Sequence, residues 1–391
     1  MNTAYSAAPS ALGYFYQCEI ALLEMLRRGD PALEVSIELL DDVAFEGEQT
    51  ELLQAKYHVN PGNLTDGSAD LWKTLRVWSD GAPTNQNSAL ILMTTSVAVE
   101  GSIAAELRPG PARNSTSAHN RLVSHAKSAS GATLARARAA FLALSDDERR
   151  DLVDRIIVID SAPLLDSIDE AFHHELRYAA PADRRDALVA RLREWWLIRA
   201  EQIVVGVASG ASPRVSFLEV EARIADLRDQ LSADNLPNDL EELPPPTDDA
   251  VSADQRKFVM QLRLISLANA RIRIAVHDYN RAFAQRARWL REDLVELGEL
   301  RTYEQRLIDE WQRVWLPETD DDTEMSEDDA AEFGRSVHRA CDEAVVEPIR
   351  VRATAPYIMR GSMQMLADEL RIGWHKDWVG RMQELLEEAT P

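Results

Sequence analysis

Four side chains between positions 38 and 56 have the types and spacing that phosphodiester hydrolysis needs: Glu38, Asp42, Gln54 and Lys56. They lie in the segment Val35–His58, VSIELLDDVAFEGEQTELLQAKYH. Apolar residues on both sides of EGEQT predict a hairpin, with strands over Leu33–Phe45 and Glu51–His58 and a turn near Glu46–Thr50. That turn sets Asp42 opposite Gln54. Side chains alternate along a strand, so Gln54 and Lys56 share a face, and Glu38 and Asp42 share parity on the facing strand. Asp41 points the other way unless a bulge intervenes, so Asp41 and Asp42 both stay open as the main ligand.

Carboxylate and amide oxygens are hard ligands, suited to Mg2+ or Mn2+. The expected metal ligands are therefore Asp42, Gln54 and Glu38. Such an ion polarises a phosphate and lowers the pKa of a bound water. Lys56 would orient that water and offset charge growing on the phosphate oxygens. Glu19, or Gln17 on the preceding helix, could add a ligand or an outer contact.

The elements needed to position these groups are readable around them. Ala11–Arg28 has helical spacing and ends in Gly29, Asp30 and Pro31. Ser68–Ser79 predicts a helix with Leu71, Trp72, Leu75 and Trp78 on one side. Ala89–Thr95 and Arg155–Asp160 predict buried strands. Between them lie helical stretches near Asn120–Lys127, Thr133–Leu144 and Ser145–Asp154, the last opened by a Ser145/Glu148 capping box. This order predicts an α/β restriction-endonuclease-like N-terminal domain over residues 1–162 with a small mixed sheet. A mostly α-helical C-terminal domain, residues 163–391, follows as a partner-binding module. Prolines and acids over Asp234–Ala250 predict a linker or exposed loop, and Pro317 opens a second acidic loop reaching about Asp329.

Composition bounds the function. The chain has 391 residues and a net charge of −23, which argues against a protein that coats nucleic acid electrostatically. The acidity is concentrated after residue 160, whereas Gly101–Arg150 carries more bases than acids. No long apolar run and no leader-like N-terminus occur, so a cytoplasmic protein outside the membrane is expected. Two distant cysteines, Cys18 and Cys341, fit a reducing compartment. No GxxxxGK[ST] segment is present, so any ATP dependence must come from a partner.

GYFYQ (Gly13–Gln17), IELLDDV (Ile37–Val43) and LQAKYH (Leu53–His58) resemble, in order and spacing, the nuclease domain of bacterial antiphage effectors linked to cyclic-oligonucleotide defence. LTDGSADLWKTLRVW (Leu64–Trp78) extends the likeness. That group belongs to the PD-(D/E)XK superfamily, here with glutamine in place of the usual acid before the lysine. FHHELRYAAPADRRDALVARLREWW (Phe172–Trp196) resembles the C-terminal module of three-component ABC-ATPase systems. Together they are similar to the nuclease subunit of the Lamassu antiphage system. The resemblance implies a Mg2+-dependent endodeoxyribonuclease acting on double-stranded DNA. It also implies association with an SMC-like ABC ATPase subunit and a small third subunit, and a homo-oligomer in the active form.

Blander readings stand beside these. Lys56 could be a solvated edge residue, Glu38 its ion-pair partner, and His58 structural rather than a phosphate contact. His173, His174 and Glu175 lack the HExxH spacing, because Tyr178 holds its last position. Trp195, Trp196, Trp289, Trp311 and Trp315 have core spacing. Arg136, Arg138, Arg149 and Arg150 could meet a DNA backbone. The competing function is a catalytically inactive nuclease-like scaffold within an ATPase complex.

Overall fold

The computed structural model describes residues 8–37, 43–81, 87–129, 131–319 and 325–388. The chain divides into two compact units, Met1–Asp226 and Leu227–Pro391. This boundary lies well beyond the one read at 162.

The first unit opens with helix α1 (Ala8–Arg28), closed by Gly29, whose N–H reaches Met25 O with φ of 57°. Its last turn carries Arg27 and Arg28, whose charge suits a helix C-terminus. Strands β1 (Glu34–Ile37), β2 (Val43–Glu46) and β3 (Glu51–Lys56) follow, then the two-residue β4 (Asn63–Leu64). Helix α2 (Ala69–Gly81) crosses over to β5 (Ala89–Thr94), which runs parallel to β3. After β6 (Val97–Ala98), helices α3 (Ile103–Glu106), α4 (Ser115–Ser128), α5 (Ala135–Ala143) and α6 (Asp146–Arg155) lead to β7 (Ile156–Ile159). The Ser145/Glu148 capping box of α6 is present as expected. Helices α7 (Ile168–Glu175) and α8 (Ala182–Ala208), strand β8 (Val215–Ser216) and helix α9 (Phe217–Gln230) complete the series.

Six of the strands form a mixed sheet in the order β7-β5-β3-β2-β1-β8, and β4 pairs separately with β6. Strand β8 pairs with the free edge of β1, and Phe217 N–H donates to Leu33 O. Residues 163–226 therefore belong with the sheet, although most of them are helical. Two residues are too few to display a strand period, so the sequence gives no sign of β8.

The expected single strand over Leu33–Phe45 is instead an antiparallel pair, with Val35 opposite Phe45 and Ile37 opposite Val43. The alternation looked continuous because Val35, Ile37, Val43 and Phe45 are all fully buried on one face. Parity along one strand therefore does not link Glu38 to Asp42. The second turn holds as read. Val43 faces Leu53 and Phe45 faces Glu51.

The second unit is helical: α10 (Asp248–Ser252), α11 (Lys257–Leu264), α12 (Asn269–Arg291), α13 (Leu297–Thr319), α14 (Glu327–Glu343), α15 (Pro356–Asp368) and α16 (Trp378–Glu388). Pro317 does not open the second acidic loop, because α13 runs through it to Thr319. No helix among the described residues is long and apolar enough to cross a membrane.

Candidate active site at the end of the central strand

The two faces of β3 are distinguished by what packs on them. Arg28 of α1 lies over the Phe45 ring and pairs with Glu51, and Tyr16 of α1 meets Tyr57 at 5.0 Å between ring centroids. The other face carries Leu52, Leu90 and Leu92, which cluster with Leu71, Trp72, Leu75 and Trp78 of α2. Gln54 is in register with Leu92, and Lys56 with Thr94. Both therefore face the α2 side, at the carboxyl end of the parallel strands, where open α/β sheets place their ligand sites.

Gln54 is fully buried, and neither its Oε1 nor its Nε2 has a hydrogen-bond partner among the described residues. Leaving a buried amide unsatisfied costs about 1–3 kcal/mol, so an isolated one is uncommon in a finished core. Lys56, two residues on, is half-buried. Beyond it, His58 Nε2 lies 2.6 Å from Asp70 Oδ2 on the first turn of α2. His58 N–H donates to Thr95 Oγ1, and that hydroxyl is 3.3 Å from His58 O.

An Arg108–Asp160 clamp braces the same end of the sheet. Arg108 Nε and Nη2 donate to Asp160 at 2.8 and 2.6 Å, and Ala98 N–H donates to Asp160 Oδ2 at 2.7 Å. Burial opposes the charged carboxylate, but the Arg108 hydrogen bonds, the Ala98 N–H and the Arg108 charge outweigh it and hold the pKa below the ordinary value. A depressed folded pKa gives stability that is fully present above the unfolded value of about 3.9 and is lost as pH falls through the folded one. Wild type should therefore lose part of its melting temperature below about pH 4. Asp160→Asn should melt lower at neutral pH, by roughly 1.5–3 kcal/mol of stability, and show a flatter acid limb in thermal melts from pH 3 to 7.

Glu38, Asp41 and Asp42 lie outside the described residues. Glu19 is not available as a ligand, because Arg193 of α8 holds both its oxygens at 2.9 Å. His173 is 3.5 Å from Asp186. The Trp196 indole donates to Cys18 O, that of Trp289 to Pro237 O and that of Trp311 to Gly373 O, so these rings are core groups as read. Arg138 and Arg149 are committed to backbone carbonyls and Arg150 to Asp146, leaving Arg136 as the arginine of that set with no polar partner among the described residues. Burial pushes the Cys18 thiol up to about 11, against the Tyr14 hydrogen bond that lowers it, so it stays protonated at neutral pH.

A hard cation fits this end of β3 through Gln54 Oε1, a buried oxygen with no partner among the described residues. Among the described residues, no three His, Cys, Asp or Glu side chains converge to hold an ion. The expected carboxylates belong to the segment 38–42.

Residues 258–382 match the sequence model of C-terminal domain 7 of the ABC-three component (ABC-3C) systems. The match falls within the second unit. The match begins well after Phe172–Trp196, which lie in α7 and α8 of the first unit. No curated protein matches the chain. Among solved structures, the SAVED/CARF-domain receptor Cap4 of Acinetobacter baumannii, solved with a cyclic trinucleotide, is 12% identical with a TM-score of 0.35, over 71% of this chain and 60% of that one. Cap4 of Moraxella osloensis is 14% identical with a TM-score of 0.36, over 66% and 60%. The chain thus spans about 60% of the length of these receptors, and likeness at this level carries no argument about chemistry.

Proposed function

We propose that this chain is the metal-dependent DNA endonuclease of an antiphage ABC-3C complex, with a PD-(D/E)XK-type catalytic unit. In this reading it is held inactive by an SMC-like ATPase subunit and a small third subunit until DNA sensing releases it to self-associate. The observation that carries the catalytic part is the buried, unsatisfied Gln54 amide, one alternation before Lys56 at the open end of β3. The matched module at 258–382 supports the placement beside an ABC ATPase.

The proposed division of labour is simple. A bound Mg2+ or Mn2+ would supply Lewis acidity toward the phosphate and an acidified water. Gln54 Oε1, with Asp42 and Glu38, would hold it. Lys56 would orient the attacking water and offset charge on the non-bridging oxygens. The apolar wall of Leu52, Leu90 and Leu92 keeps solvent from the inner side of Gln54.

The test is cleavage of linear and circular double-stranded DNA with Mg2+ or Mn2+, alone and with the ATPase and third subunit. Wild type should cut under one of these conditions, and Lys56→Ala should be slower by roughly 10²–10³-fold or more with an unchanged melting curve. A folded wild type that cuts under none of them would leave a scaffold.

A further inference from the structure

The open end of β3 carries a second proton-handling group, and we propose that His58 is the general acid that protonates the leaving oxygen, with Asp70 as its positioning partner. The inference rests on the phosphodiesterase reading above. His58 follows Lys56 by two residues and faces the same side. Tyr57 between them lies against Tyr16 of α1, whereas the His58 ring reaches Asp70 of α2. The residue is held once at the ring and once at the backbone. Nε2 is 2.6 Å from Asp70 Oδ2, and the residue's own N–H is fixed by Thr95 Oγ1 at 2.9 Å.

With Nε2 engaged, Nδ1 has no partner among the described residues, and the side chain is 42% exposed, so a DNA strand can reach it. The Asp70 carboxylate from α2 meets the ring, and the neutral Thr95 hydroxyl at the end of β5 meets the His58 backbone. An imidazole carrying a proton on each nitrogen donates to Asp70 from Nε2 and to the leaving oxygen from Nδ1. The roles then separate by side. Gln54 and Lys56 serve the entering water, and the leaving alkoxide still needs a proton.

Water oxygen bonds to phosphorus, giving up one proton to solvent, and the bond from phosphorus to the leaving oxygen breaks. Its electron pair departs on that oxygen, which takes the proton from Nδ1. The neutral imidazole regains a proton from solvent.

Substrates with sulfur at the bridging leaving position test this, with the sulfur placed 3′ or 5′ according to the ends wild type produces. A thiolate leaves without a proton. On the ordinary substrate His58→Ala should be slower by roughly 10²–10⁴-fold. On the sulfur substrate it should approach wild type. Asp70→Asn should show a smaller loss with the same recovery, and both variants should bind DNA like wild type by anisotropy with Ca2+ present. Equal loss on both substrates would make His58 structural and overturn the proposal, as would wild-type rates on the ordinary one. A wild type that cuts neither substrate sinks the nuclease reading itself, and the acid with it.

Discussion

Gln54→Leu is expected to make the protein more stable and inactive at once. Leucine nearly matches glutamine in volume and removes two buried polar atoms that have no partner among the described residues. The neighbours on that face, Leu52, Leu90 and Leu92, already form an apolar layer. Relief of the unsatisfied amide should stabilise the first unit by about 1–3 kcal/mol, or several degrees in melting temperature at about 2–4 °C per kcal/mol for a unit of this size. Cleavage should fall by more than the roughly 10–100-fold typical of losing an outer contact to a metal ligand, since the proposed ligand itself is removed. Gln54→Glu makes the complementary case. It buries a carboxylate, so it should melt below wild type in a chelator and recover with Mg2+ or Mn2+, because ion binding to the folded state raises its stability. Thermal melts and cleavage assays on both variants decide it. If Gln54→Leu melts lower than wild type, the amide is a structural group satisfied by water, and its role as a ligand is lost.

That trade-off explains which parts of the site were legible in the sequence. The turn between β2 and β3 was, because EGEQT is a polar interruption between apolar runs and fixes the register of Val43 against Leu53. The reversal between Ile37 and Val43 was not. Both strands bury the same kind of residue, so the pattern continues across the turn and imitates one long strand. The fate of Glu19 was equally hidden, since its partner Arg193 is 174 residues away in sequence. His58 shows the same limit from the other side. Its type was visible, but Asp70 and Thr95 reach it only through the crossover of α2 and the pairing of β5. Local patterns carry the strands and their alternation, and contacts between distant segments decide which polar residues remain available for chemistry.

The second large effect lies in the matched C-terminal module, at a position where sequence rules predict the opposite sign. Gly361 sits inside α15, and replacing a glycine within a helix by alanine ordinarily gains about 1 kcal/mol. Here the gain should be overwhelmed. A Cβ at Gly361 would stand 2.1 Å from Asp278 O and 2.5 Å from Ala282 Cβ, both on α12. The obstacle is backbone and a fully buried methyl group, so no side chain can swing aside, and the two helices must separate. Separation also disturbs Asp278, a buried carboxylate whose pKa burial raises despite its Arg281 partner. Overpacking of this kind costs typically about 1–3 kcal/mol, and an unyielding carbonyl places Gly361→Ala at the upper end. Gly298 is the control. It lies in α13, and a methyl group added there would meet nothing within 4 Å, so Gly298→Ala should be neutral or slightly stabilising. Urea titrations of both variants separate helix propensity from helix packing. Because α12 and α15 fall within residues 258–382, Gly361→Ala should also weaken co-purification with the ATPase subunit, while DNA cleavage by the free chain persists. Equal stability of the two variants would show that the α12–α15 seam can open without cost, and would remove it as the rigid element on which a partner is held.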